Sequence, residues 1–185
     1  LGFRLNGQRN NWLRELDRFE EQRVSRVGER VARKGVLQTH GANDVARLRI
    51  AVFRDWPYLY DGTLDYERAY LATYRDNPGA LLVGAFHHGQ LIGASTSTLM
   101  EDHAEAFSAP FAQLNIPLTA ILYGAESVIL EPYRGIGLGH RFIDLREDHA
   151  RAMGRRYVAF CSVQRPETHP AKPANARTND AFWLG

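Results

Sequence analysis

Residues 132–141 read PYRGIGLGHR, an arginine followed by Gly135, Gly137 and Gly139 at alternate positions, and no other stretch limits the fold as strongly. Glycine takes up positive φ without steric cost, so a single one marks a turn. Three at every second position exceed what a turn needs. The segment 119–131 before them, containing AILYGAESVILE, has the composition of a buried strand. After them, apolar spacing predicts a helix from about Gly137 to Met153 with Leu138, Phe142, Leu145 and Ala152 inward, and RYVAFCSV predicts a further strand. In such a strand–loop–helix–strand unit the first backbone N–H groups of the helix lack internal acceptors, and their dipoles sum to a partial positive charge. Without Cβ atoms in the way an anion can approach those groups closely, and Arg134 adds a fixed charge. A pyrophosphate fits best. A dinucleotide fold would require GxGxxG and an acidic residue about 20 positions on, and a P-loop would require GKS or GKT; neither is present.

Elsewhere the chain follows ordinary globular patterning. With 185 residues, 44% of them hydrophobic and 24% charged, one domain with its own core is expected. A formal charge of +2 demands neither nucleic acid nor an anionic membrane as partner. The one cysteine, Cys161, excludes an intrachain disulfide and gives no Cys/His metal set; with no apolar run near membrane length and no signal-peptide core, a cytoplasmic protein is expected.

From Asn10 to Lys34, Leu13, Leu16, Phe19, Val24, Val27 and Val31 recur at mostly three- or four-residue spacing before Gly35, which predicts an amphipathic helix. This gives a division into a helical extension, 1–35, and a domain with its own core, 36–185. The extension either packs on its own domain or supports a homodimer. VLQT starts a strand, a helix capped near Asn43 or Asp44 carries Val45, Leu48, Ile50, Val52 and Phe53 as far as Trp56-Pro57, and a second helix follows Thr63 and stops at Pro78-Gly79. ALLVGAFHHGQLIGASTSTLM is a hairpin about His87-His88-Gly89, where paired histidines on a turn are solvated more often than metal-bound.

Together, ESVILEPYRGIGLGHRFI resembles motif A of the GNAT acetyltransferase superfamily: an apolar strand, a nearby proline, then Arg/Gln-x-x-Gly-x-Gly/Ala opening a helix. The order of elements over about 36–183 resembles that fold too. The resemblance implies an α/β fold with a mixed, mostly antiparallel central sheet flanked by helices, here with an extra N-terminal helix. It implies acetyl-CoA as cofactor, its pyrophosphate held by Arg134, Gly135, Ile136, Gly137, Leu138, Gly139 and His140, and its pantetheine arm by backbone groups of Val128 and Leu130. Core packing alone would also explain Val128 and Leu130. The activity implied is N-acetyl transfer to a small-molecule or peptide amine, with a non-catalytic acyl-CoA-binding module as the alternative.

Transfer to an amine requires a neutral nucleophile, a stabilised oxyanion and departure of a thiolate. Glu126, on the predicted strand and on the face of Val128, stands where related acetyltransferases often carry a catalytic glutamate; in an apolar strand its carboxyl would be desolvated and suited to act as base. A structural ion pair is the competing role. DWPYLYDG, 55–62, lies where family members recognise the acceptor, and Tyr58, Tyr60 and Asp61 could hold a cationic amine. Where family members place an acidic tyrosine, NDAFW offers Phe182 and Trp183, which leaves Tyr123, Tyr58, Tyr60 and Ser162 as unranked substitutes. A covalent acetyl-Cys161 lacks a histidine partner nearby in sequence. At DAFWLG the resemblance predicts a Gly-Phe or Gly-Tyr turn and two further strands; either the sequence is cut short there, or the sheet edge is covered by something else, such as the N-terminal helix or a partner subunit.

Overall fold

The computed structural model describes residues 2–5, 9–15, 31–35, 39–103, 109, 111 and 114–176. Seven described strands form one sheet in the order β1-β2-β7-β6-β5-β4-β3. They are β1 (Gly2–Leu5), β2 (Arg9–Glu15), β3 (Val31–Gly35), β4 (Leu81–His87), β5 (Gln90–Leu99), β6 (Ile121–Ile129) and β7 (Tyr157–Val163). All neighbours are antiparallel except β6 and β7, which are joined by the long helix as the βαβ pattern requires.

Helices α1 (Thr39–Phe53) and α2 (Leu64–Arg75) cover one face, where Val45, Ala46, Leu48, Phe53 and Leu71 bury themselves against Ala94 and Val128. Thr63 caps α2 by accepting from Tyr66 N. Helix α3 (Leu138–Ala152) covers the other face, its Leu138 and Phe142 packed on Leu81, Val83, Ala85 and Ile92. The apolar stripe of α3 continues through Ala150, whereas Ala152 is exposed. At the β4–β5 turn His88 and Gly89 both have positive φ, the conformation of a tight hairpin turn. No described helix is long and apolar enough to cross a membrane.

The N-terminal helix expected over Asn10–Lys34 is corrected in part: residues 9–15 and 31–35 are strands, and residues 16–30 lie outside those described. Pairing explains the difference. β2 lies antiparallel along all of β7, from Arg9 opposite Val163 to Glu15 opposite Tyr157. An uncovered β7 would leave a row of backbone groups unpaired, and this long-range demand outweighs a short helical periodicity. The edge that needed cover is covered by the N-terminal segment, as a hairpin.

Candidate active site

Two irregularities open the centre of the sheet. β6 and β7 pair from Ile121 opposite Tyr157 to Gly124 opposite Phe160 and then separate, although β6 runs on to Ile129 and β7 to Val163. At the same level the β5–β6 register shifts: Thr96 faces Glu126 and Ser97 faces Gly124, so Ala125 is an extra residue without a cross-strand partner. Beyond this bulge, Leu130 N donates to Ile92 O at 2.9 Å, which turns the backbone groups of Leu130, and by alternation those of Val128, towards β5. Ser127 and Ile129 therefore present N–H and C=O to the gap. The expected backbone donors Val128 and Leu130 are one residue out of register with the open edge, and their side chains pack against the α1 core.

Below the gap lies the mouth of α3. Gly135 and Gly137 have φ of 74° and 88°, and a Cβ built on either would meet nothing within 4 Å. Backbone conformation, and not crowding, calls for glycine there. Gly137 is the N-cap and supplies no side-chain hydrogen bond, the first turn holds no acidic residue, and the first helical bond runs from Arg141 N to Gly137 O at 3.1 Å. The N–H groups of Leu138, Gly139 and His140 are thus left without intrahelical acceptors. Ile136 is half-buried against the α3 core and Leu138 is buried in it, so these two anchor the loop while Arg134 and His140 are exposed. Arg134 Nε donates to Ile129 O at 3.1 Å, and Tyr133 Oη lies 3.0 Å from His87 Nδ1, fastening the loop to β6 and to the hairpin turn.

Glu126 is not in an apolar setting. Its Oε1 forms an ion pair with Arg49 Nη1 and accepts from Thr96 Oγ1 at 3.1 Å. Arg49, 5% exposed, also pairs through Nε with the fully buried Glu67, and its guanidinium lies 4.3 Å from the Tyr70 ring centroid and 5.0 Å from that of Phe53. From the opposite face, buried Arg146 of α3 donates through Nη2 to Glu126 O and, at 3.1 Å, to Thr96 O. Burial pulls the Arg146 pKa down to about 10, against the opposing influence of the Tyr74 and Tyr123 phenols. Arg49, Glu67, Thr96 and Arg146 are the site residues that sequence reasoning missed.

The expected acceptor residues divide. Tyr58 packs on Phe53, ring centroids 4.4 Å apart, and burial raises its pKa while Arg49 opposes the rise. Tyr60 is half-buried, its phenol raised by desolvation and then by Glu67. Asp61 is 83% exposed and paired with Arg54 at 2.8 Å, which places it at the surface. Arg165, beyond β7, binds the loop with Nε on Pro57 O at 2.8 Å and Nη2 on Tyr58 O at 2.7 Å. Among the substitutes for an acid, burial and a hydrogen bond with half-buried Cys161 raise the Tyr123 pKa, and Ser162 is half-buried on β7. Phe182 and Trp183 lie outside the described residues.

No family model and no curated protein matches the sequence. Solved structures do match. The aminoglycoside N-acetyltransferase AAC(6')-Iy in complex with CoA superposes with a TM-score of 0.55 at 15% identity, over 75% of this chain and 79% of that one. A GCN5-related N-acetyltransferase from Sphaerobacter thermophilus gives 0.58 at 13% identity, over 91% of this chain and 46% of that one. A ribosomal-protein-alanine N-acetyltransferase from Brucella melitensis biovar Abortus gives 0.51 at 15% identity, over 84% and 89%. The fold is that of the GNAT N-acetyltransferases. Identities this low speak to architecture alone.

Proposed function

We propose that this chain is an acetyl-CoA-dependent N-acetyltransferase that acetylates an amine of a small molecule or peptide by direct attack. One observation carries the reading: a gap in the sheet, edged by the backbone of Ser127 and Ile129 that points away from β5, lies on the strand leading into a helix mouth whose first N–H groups have no intrahelical acceptor. The residues fit the cofactor. Arg134 to His140 would hold the pyrophosphate, with open space above Gly135 and Gly137. Ser127 and Ile129 would hold the pantetheine amides as a strand holds its neighbour. Acetyl-CoA supplies the acyl group activated as a thioester.

The chain's own groups do the rest. An alkylamine with a pKa near ~10 must lose a proton before it attacks. Among the described residues both contacts of the Glu126 carboxylate fall on Oε1, so Oε2 is the atom that accepts this proton, directly or through water. Arg49 and Thr96 fix its direction. Backbone N–H groups at the parted edge of β6 stabilise the oxyanion. Tyr58 and Tyr60 line the acceptor side next to Arg49 and Glu67.

Thiol release from acetyl-CoA over an amine panel tests the reading, with Glu126→Gln expected to lower turnover by ~100-fold or more while acetyl-CoA affinity holds. Unchanged turnover would remove Glu126 from the mechanism. The ion pair on Glu126 also favours a second reading, a module that binds acyl-CoA without chemistry. That reading predicts cofactor binding by calorimetry and no thiol release with any amine.

A further inference from the structure

The most anomalous buried group outside the cofactor cradle is Arg146. It is 3% exposed, it stands in the apolar stripe of α3 between Phe142 and Ala150, and no described carboxylate forms an ion pair with it. Its Nε has no hydrogen-bond partner among the described residues. A guanidinium in such surroundings costs stability that an apolar side chain of similar volume would not. What it does instead is geometric. Its Nη2 reaches through the sheet to the carbonyls of Thr96 and Glu126, the two residues that face each other across the bulge at Ala125. Gly124 lies beside it: a Cβ there would stand 3.4 Å from Nη1, in ordinary contact.

The bulge is where β7 parts from β6, and Glu126 is the next residue. Glu126 is therefore gripped twice, at its carboxylate by Arg49 from the α1 face and at its carbonyl by Arg146 from the α3 face. The Arg49 and Thr96 contacts aim the carboxylate, and the Arg146 contact holds the backbone that carries it. We propose that Arg146 is a positioning residue for acetyl transfer: it locks the Ala125 bulge, so that Glu126 and the open edge of β6 hold one geometry towards the acetyl group and the amine.

This inference rests on the acetyltransferase reading, and the test separates the two. Wild type, Arg146→Met and Arg146→Lys are compared by thermal unfolding, by calorimetric titration with acetyl-CoA, and by steady-state thiol release with the best amine of the panel. Arg146→Met is expected to melt at or above the wild-type temperature and to bind acetyl-CoA unchanged, while kcat falls by roughly 100-fold, as misplacement of a reacting group by ~1 Å entails. Arg146→Lys keeps the charge but has one ammonium in place of a fork, and is expected to recover part of kcat. Wild-type kcat in either variant overturns the proposal, because neither can span both carbonyls as arginine does. A fall in stability together with acetyl-CoA affinity, at unchanged kcat, would overturn it too, by assigning Arg146 to structure. If Arg146→Met does not fold, Arg146→Lys carries the decision alone. Failure of the wild type to bind acetyl-CoA would instead sink the acetyltransferase reading itself.

Discussion

Replacing Gly137 separates what the loop needs for folding from what it needs for binding. The residue has φ of 88° and a Cβ would touch nothing within 4 Å, so a side chain meets no clash in the folded chain. Gly137→Ala then costs only the left-handed strain, ~1–2 kcal/mol, less ~0.4–1 kcal/mol recovered from a stiffer unfolded chain. For a chain of this length a net cost of about 1 kcal/mol lowers Tm by roughly 2–4 °C. Gly137→Asn costs less, because asparagine enters the left-handed region more readily than other residues. Both side chains, however, project into the open space through which a pyrophosphate would approach the N–H groups of Leu138 to His140. Loss of one charge-assisted hydrogen bond, ~1.5–3 kcal/mol, weakens binding by on the order of 10- to 100-fold. Calorimetry with acetyl-CoA reads this loss. An acetyl-pantetheine fragment without the pyrophosphate should bind wild type and variant alike. A Gly137→Asn protein that melts like wild type and binds acetyl-CoA with wild-type affinity would refute the assignment of the helix mouth to phosphate.

Two further outcomes follow from the surroundings of the site. Arg165→Ala removes both hydrogen bonds that hold Pro57 O and Tyr58 O, so KM for the acceptor should rise while acetyl-CoA affinity stays; an unchanged KM would detach this loop from acceptor binding. Burial lowers the pKa of His103, whose ring lies 4.4 Å from Tyr123, so the folded chain takes up this proton at lower pH than the unfolded chain does. Its contribution to stability is present above about pH 6.5 and is lost as the pH falls below that value. His103→Gln should flatten the fall of Tm on acidification below about pH 6.5, and an identical slope would refute the role of burial.

The strand, the glycine turn and the helix mouth were legible because their signals are local. Alternate glycines after an apolar run and before a helical stripe fix a strand, a turn and a helix mouth within about twenty residues, and β6, α3 and β7 lie where that pattern puts them. The N-terminal strands were not legible, since the demand that makes β2 a strand is the open edge of β7, nearly 150 residues away in sequence. The backbone groups of β6 that face the gap lie one position from those expected, for a related reason. Alternation tells which side chains share a face, but which backbone groups face the gap depends on the bulge at Ala125 and on Leu130 N bonding Ile92 O.

The buried charges were legible in a way that patterning invites one to overlook. Arg49 stands four residues after Val45 and four before Phe53; Glu67 stands three after Leu64 and four before Leu71; Arg146 stands four after Phe142 and four before Ala150. Each interrupts the apolar stripe of its helix at a core position, where a charge is tolerated only when something in the interior holds it. One such exception on each of three helices reaches the same place: Arg49 pairs with Glu67 and with Glu126, and Arg146 bonds the Glu126 carbonyl, whereas the neighbouring buried Glu147 pairs with Arg151. Burying two guanidiniums and two carboxylates around one strand residue does little for stability that well-packed apolar residues would not do as well. A chain that keeps all four is holding the Glu126 carboxylate in a fixed position. That convergence falls on Glu126 independently of the glycines, with its carboxylate held on the opposite side of the sheet from the helix they open.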